Sequence, residues 1–331
     1  MTDPSSLDTP ERAPEENRQL YGWIRSALSH QVAGHAAALD RLALVGLGHV
    51  VGLGKQRVLL IGPSGCGKTT LASALAKTLG LPFEIVDAAA MAENNWSGQQ
   101  LEHSVQALYR SAGGDMRLLR KAVVVLDEID KLALQSGLPG AVATGTSADY
   151  RRGKQESVLA LMGGADIRFS AVGDRTYDMS WSAAEALIIA CGVFPGLRAA
   201  GEPSPADLQK QGLIRELVER FGQVIRLQPL GVPELGLVLE QGLQRTRCLF
   251  QKLGYDMVLP EVTLRYVAAA VARGCGDAGP RSATTWLEVA AQRRLLELLA
   301  SNAATGSTVT LTPDDIDLPP IDAVSRRRRS R

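Results

Sequence analysis

Residues 62–69 read Gly-Pro-Ser-Gly-Cys-Gly-Lys-Thr, followed directly by a second threonine, Thr70. The spacing G-x-x-x-x-G-K-T is that of a phosphate-binding loop. Gly62, Gly65 and Gly67 let the main chain wrap closely around phosphate oxygens, with Pro63, Ser64 and Cys66 filling the turn between them. The apolar run Arg57–Ile61 before the loop reads as a buried parallel strand, and Thr70–Lys77 after it reads as a helix. The N–H groups of that helix's first turn then face the phosphates, and the helix dipole favours their charge. Lys68 is spaced to reach the β- and γ-phosphates, and the Thr69 hydroxyl to hold Mg²⁺. A second chemical pair, Asp127 and Glu128, closes the β-branched run Ala122–Leu126. One carboxylate (Asp127) suits a Mg²⁺ shell; the other (Glu128) remains available to polarise an attacking water. The plainer readings are a Gly-rich turn that happens to carry a lysine, and an Asp-Glu helix N-terminus. Both weaken once the two motifs occur in one chain. A nucleotide with Mg²⁺ is the expected ligand pair, and its hydrolysis the expected reaction.

The elements that must position these residues follow from the pattern of apolar runs. From Leu20 to about Pro229 strands alternate with helices, which implies an α/β fold with a parallel sheet covered on both faces. The expected strands are Arg57–Ile61, Pro82–Asp87, Ala122–Leu126, Ala186–Cys191 and Gln223–Leu227. Acids at the C-terminal end of a buried strand emerge where open α/β sheets bind ligands. Residues 135–153, rich in Gly, Ala, Ser and Thr, read as a mobile loop on the nucleotide side. From Pro233 onward the pattern is helical: Pro233–Leu253, Pro260–Arg273 and Pro280–Ala300, each opening on a proline. A short strand, Thr308–Leu311, closes this half. The expected divisions are a disordered lead-in over 1–18, a large ATP-binding domain over 19–229, a small α-helical domain over 230–312 and an Arg-rich tail over 313–331.

Bulk properties exclude several classes. The 331 residues are 45% apolar and 21% charged, with a net charge of +1, ordinary for a soluble globular protein and not for a polyanion binder. Cys66, Cys191, Cys248 and Cys275 form no C-x-x-C pair, which argues against a zinc module. The polar, acidic start Met1–Ser5 is no secretory signal, and no apolar stretch approaches the ~20 residues of a membrane span. A cytoplasmic protein is expected. The one strong charge run, Ser325–Arg331, carries five arginines and is either a solvated end or a contact for nucleic acid or another acidic partner.

The order of elements resembles the AAA+ ATPases of the ClpX unfoldase family over about residues 20–312. Val32-Ala33-Gly34-His35 stands where that family has Val-Ile-Gly-Gln, which implies that Val32 and Ala33 lie against the adenine. Gly62–Thr69 and Val123–Lys131 are similar to its Walker A and Walker B motifs, and Ala186–Leu197 to its sensor-1 strand and following turn. Gly212–Phe221 resembles the family's Gly-Leu-Ile-Pro-Glu-Phe-Ile-Gly-Arg-Leu segment, which puts Arg220 in the arginine-finger place. A finger guanidinium from a neighbouring subunit stabilises charge on the transferred phosphoryl group, so the resemblance implies a homo-oligomeric ring, hexameric in the family. On its own, Arg220 reads equally as a surface arginine.

The departures from the family pattern are specific. Asn95-Trp96-Ser97-Gly98 stands in place of the family's substrate-gripping Gly-Tyr-Val-Gly, so Trp96 is either the residue that grips a polypeptide or a partly buried core tryptophan. Arg151-Arg152-Gly153-Lys154 lies near the second pore loop, as a channel lining or a solvated loop. At the second sensor, Gly276-Asp277-Ala278-Gly279-Pro280-Arg281-Ser282 has Ala278 at the sensor arginine's position, with Arg281 matching the family's second arginine and a candidate substitute contact to nucleotide. Between Leu197 and Gln211 there is no apolar docking loop; Arg198–Pro205 is small and polar, so a ClpP peptidase partner is not expected. Three functions remain open from sequence: a ClpX-like remodeller of polypeptides without a peptidase, a nucleic-acid-associated motor or loader, and a nucleotide-gated switch with weak turnover.

Overall fold

The structure, a computed structural model, describes residues 12–88, 99–134, 145–172, 176–197, 201–273, 279–301 and 304–318. The chain divides into two compact units, residues 1–63 with 67–227, and residues 228–331, with which Ser64–Cys66 group.

In the first unit the elements run α1 (Pro14–Gln31), α2 (Ala36–Val50), β1 (Arg57–Ile61), α3 (Lys68–Leu79), β2 (Phe83–Asp87), α4 (Gln99–Ser111), α5 (Met116–Arg120) and β3 (Val123–Asp127). They continue with α6 (Gly145–Gly163), β4 (Asp166–Val172), β5 (Thr176–Ser182), β6 (Leu187–Gly192), α7 (Pro205–Lys210), α8 (Arg215–Val218) and β7 (Gln223–Arg226). Five strands form one sheet in the order β2-β3-β6-β1-β7, every neighbour parallel. β1 and β6 are buried along their whole length and β3 for all but its last residue, Asp127. That fits strands covered by helices on both faces. The α/β class and the five expected strands are those observed, with ends shifted by a residue.

Several expectations change. The lead-in over 1–18 is not wholly disordered, because α1 begins at Pro14. Proline suits a first helical position, Glu15 and Glu16 favour the positive end of the dipole, and Ile24 and Leu28 are fully buried. The loop expected over 135–153 is helical from Gly145, so Arg151–Lys154 lie on α6 and not in a loop. Packing overrides the weak local propensity there. Gln155, Val158, Leu161 and Met162 are buried, and the helix's last carbonyls accept from basic side chains: Lys55 Nζ to Gly163 at 2.9 Å and Arg57 Nε to Met162 at 3.2 Å. Residues 135–144, together with 89–98 and the tail beyond 318, lie outside the described residues.

The antiparallel pair β4–β5 was not anticipated, although its signal is present. Ile167 and Phe169 alternate along β4 and pair with Trp181 and Met179 of β5. Phe169 and Trp181 are buried, and Trp181 Nε1 donates to the Leu119 carbonyl at 2.9 Å.

The second unit holds α9 (Val232–Gly242), α10 (Gln244–Lys252), β8 (Asp256–Val258), α11 (Glu261–Ala272), α12 (Pro280–Ala300) and β9 (Thr308–Thr310). The single helix expected over Pro233–Leu253 breaks at Leu243, which is fully buried at φ −83° and ψ 0° between α9 and α10. The short strand near 308 exists and pairs with β8, which alternation over three residues was too short to reveal. Leu239, Leu243, Phe250, Val267, Ala283, Leu287 and Leu311 form this unit's own core.

Candidate nucleotide site

The site grows from the C-terminal ends of β1 and β3, with β6 between them. Gly65 and Gly67 have φ of 75° and 94°, the left-handed region where a side chain would be strained, so the loop conformation itself demands glycine. Gly67 caps α3 without a side-chain hydrogen bond. The opening N–H groups of α3 therefore have no intrahelical acceptor and suit an anion. Lys68 is buried, and its ammonium donates to the carbonyls of Gly62 and Pro63, both at 2.8 Å. Thr69 Oγ1 donates to Asp127 Oδ2 at 2.8 Å. Two neighbouring ligands of an octahedral cation with bonds near 2.1 Å lie about 3 Å apart, so these two oxygens fit a Mg²⁺ shell. Thr70 lies in the first turn of α3.

Glu128 directly follows β3 in a left-handed conformation, φ 57° and ψ 35°, unusual for a residue with a side chain. Its N–H donates to Asp127 Oδ1 at 2.9 Å. A 3-10 turn, Ile129–Leu132, starts there. Lys131 reaches back to form an ion pair with Glu128, and its ammonium is held above the ordinary lysine range, first by that hydrogen bond and then by the charges of Glu128, Asp87 and Asp130. Asp130 Oδ1 accepts from the Val193 N–H at 3.0 Å, tying the turn after β3 to the end of β6. Asp87 stands opposite Asp127 in the β2–β3 register, a third acid at the same edge. Sequence reasoning gave no role to Asp87, Asp130 or Lys131; the last two lie inside the quoted motif.

The remaining sequence-derived candidates lie on other elements. Val32 and Ala33 occupy the half-buried connection from α1 to α2, where Gly34 and His35 both have positive φ. Arg220 follows α8, exposed, and its guanidinium has no partner among the described residues. Arg281 is exposed in the first turn of α12 and belongs to the second unit. Ala278 and Trp96 lie outside the described residues. Of the basic stretch, Arg152 Nε pairs with Glu156 at 3.1 Å and Arg151 donates to the Ala133 carbonyl at 3.4 Å, so both are engaged within the helix and its neighbour. No described helix is long and apolar enough to cross a membrane.

Comparison with known proteins bears on the same residues. Residues 58–191 match the ATPase family associated with various cellular activities (AAA). The ATP-binding subunit ClpX of the ATP-dependent Clp protease from Azotobacter vinelandii is 30% identical over 327 residues, covering 87% of this chain and 73% of the relative. The "ClpX 3" subunit of Methylococcus capsulatus is 29% identical, covering 73% of this chain and 64% of its own length. The "ClpX 2" subunit of Wolinella succinogenes is 31% identical over 214 residues, 58% of this chain and 53% of its own length.

Proposed function

The chain belongs to the ClpX family of AAA ATPases, ATP-binding enzymes that hydrolyse the nucleotide, and from that premise we propose that it remodels polypeptide substrates as a ring of identical subunits, six in number. Mg²⁺, when bound, would supply the positive charge that offsets negative charge developing in the reaction. Thr69 and Asp127 would hold it. Lys68 exchanges its two loop carbonyls for the β- and γ-phosphates, trading neutral acceptors for charged ones. Glu128, released from Lys131, orients the attacking water and accepts its proton. Val32 and Ala33 line the adenine side, and Arg281 is the candidate for the second-sensor role, since position 278 holds alanine.

The observation that carries the ring reading is Arg220, an exposed guanidinium with no partner among the described residues of its own chain. A free arginine at the end of a short, well-anchored helix is suited to enter a neighbour's site, where it would be worth roughly 10³–10⁵ in turnover. Trp96 is the proposed grip on the substrate. No peptidase is part of the proposal, because residues 198–205 offer small and polar side chains where the family docks ClpP. The nucleic-acid reading would rest mainly on the arginine run at 326–331, with Arg152 paired to Glu156 and Arg151 donating to the Ala133 carbonyl.

The test is turnover and assembly together. Arg220→Ala should keep ATP binding and lose hydrolysis, and mixing it with Glu128→Gln subunits should restore part of the activity. An unfolded protein should stimulate the wild type and not Trp96→Ala. A chain that stays monomeric at saturating ATP and magnesium, or an Arg220→Ala variant with normal turnover, overturns the reading.

A further inference from the structure

One fully buried polar side chain in the large unit has no place in the mechanism above. Gln155, on α6, is 0% exposed and uses its whole amide. Its Nε2 donates to the carbonyls of Leu132 and Gly212, both at 2.9 Å, and its Oε1 accepts from the Ile214 N–H at 2.7 Å. Those partners belong to two different functional segments. Leu132 ends the 3-10 turn that begins beside Glu128, and the turn is closed by Lys131 N–H donating to the Glu128 carbonyl at 3.0 Å. Gly212 and Ile214 open the segment that ends in Arg220.

That second segment is continuous and stiff. The Ile214 carbonyl accepts from Leu217 and Val218, that of Arg215 from Glu219, and that of Leu217 from Arg220, all within 3.0–3.1 Å. Ile214, Leu217 and Val218 are buried, so the helical turn is pinned while Arg220 stays outside. Leu134 N–H adds a main-chain bond to the Gly212 carbonyl at 2.8 Å. The two segments therefore meet at one amide and one main-chain hydrogen bond. In a buried site an amide that satisfies three main-chain groups is costly to replace, because an apolar side chain leaves each of them unpaired.

The geometry points to Gln155 as a positioning residue for Arg220: it ties the arginine-bearing segment of each subunit to the turn behind that subunit's own Glu128, so that the state of one nucleotide site sets the placement of the arginine offered to the next. This rests on the assignment of Arg220 to a neighbour's site. A shift of about 1 Å in a group that stabilises a transition state is enough to cost roughly 100-fold in rate. Nucleotide binding, which uses the loop at residues 62–70, does not pass through Gln155.

The test uses full-length rings. Gln155→Leu should lower turnover roughly 10- to 100-fold, with the affinity for a fluorescent ATP analogue within about twofold of wild type. Mixing Gln155→Leu with Glu128→Gln subunits should restore activity as far as mixing Arg220→Ala with Glu128→Gln does, because the intact arginine then comes from the Glu128→Gln partner. If only the Arg220→Ala mixture recovers, Gln155 acts on its own site and the inference fails while the ring reading stands. If neither mixture recovers, the ring reading itself fails.

Gln155→Glu keeps the acceptor for Ile214 and serves if the leucine variant does not fold. Its carboxyl would face two carbonyl oxygens in a buried site, so the protonated form, able to donate to one of them, is the form that holds the segment. The ratio of its turnover to that of wild type should rise as pH falls from about 8 to about 6. A flat ratio, or a Gln155→Leu ring with wild-type turnover, overturns the proposal.

Discussion

Gly212 offers a sharp test of how the arginine-bearing segment is held. Its φ is 95°, where an L side chain is strained by about 1–2 kcal/mol. A Cβ built there would lie 2.0 Å from the Leu134 oxygen and 2.6 Å from its nitrogen, both main-chain atoms that no rotamer change can move. Relieving the overlap must part the two strands of backbone. That breaks the Leu134 N–H bond to the Gly212 carbonyl and the Gln155 bond to the same oxygen, about 1 kcal/mol each. The sum for Gly212→Ala is about 3–4 kcal/mol. At about 2–4 °C per kcal/mol for a unit of this size, the melting temperature should fall by about 6–16 °C. Gly153→Ala is the matched control, since nothing lies within 4 Å of its added Cβ and it sits inside α6, where alanine is favoured by up to about 1 kcal/mol. Differential scanning calorimetry on both variants reads the difference. A Gly212→Ala melt within about 2 °C of wild type would refute the rigid clamp, and with it the energetic basis for coupling the two segments.

Other substitutions probe separate parts of the molecule. Lys68→Ala should abolish binding of a fluorescent ATP analogue, whereas Glu128→Gln should bind it normally and lose turnover by at least about 100-fold; equal loss of binding in both would contradict the division of labour. His49 is buried and its Nε2–H donates to the Lys121 carbonyl at 2.8 Å, so burial lowers its pKa from 6.5 to about 4. The unfolded chain then takes up the proton first. Stability is intact above about pH 6.5 and falls by up to about 3 kcal/mol as pH drops toward 4; urea titrations should show this acid loss in wild type and not in His49→Gln, and the same pH dependence in both would mean that another group is the cause. Arg57 is buried at the start of β1, donates to the carbonyls of Gln56, Met162, Ala183 and Ala186, and has its pKa lowered by burial to about 10. Arg57→Met should therefore destabilise the large unit by about 3–5 kcal/mol, measured by chemical denaturation, and a loss below about 1 kcal/mol would mean that those carbonyls find other partners.

Much of the site was readable because its chemistry is local. A phosphate loop needs its glycines, lysine and threonine in consecutive positions, and Asp127 and Glu128 need only the end of one apolar strand. The failures mostly have non-local causes. Gly145–Lys154 carries little helical propensity, yet α6 forms because Gln155 and the apolar residues after it are buried and because Lys55 and Arg57 cap its last turn. The break at Leu243 escaped notice because burial of that leucine, not a proline or a turn signal, sets it. The pair β4–β5 did alternate, but two edge strands outside a parallel sheet do not fit an alternating strand–helix pattern.

By itself the order of residues determined that a nucleotide site is expected, which strands lead into it and which side chains make up the phosphate-loop and strand-end motifs, because main chain and side chain there act within a few residues of one another. Only the tertiary structure decided that β6 runs between the two motif-bearing strands, that Thr69 and Asp127 share a hydrogen bond, and that one buried amide on α6 joins the turn behind Glu128 to the segment of Arg220. Those contacts join positions 23 to 59 residues apart, and what brings such positions together is the burial of apolar surface across the whole sheet, which no short spacing encodes.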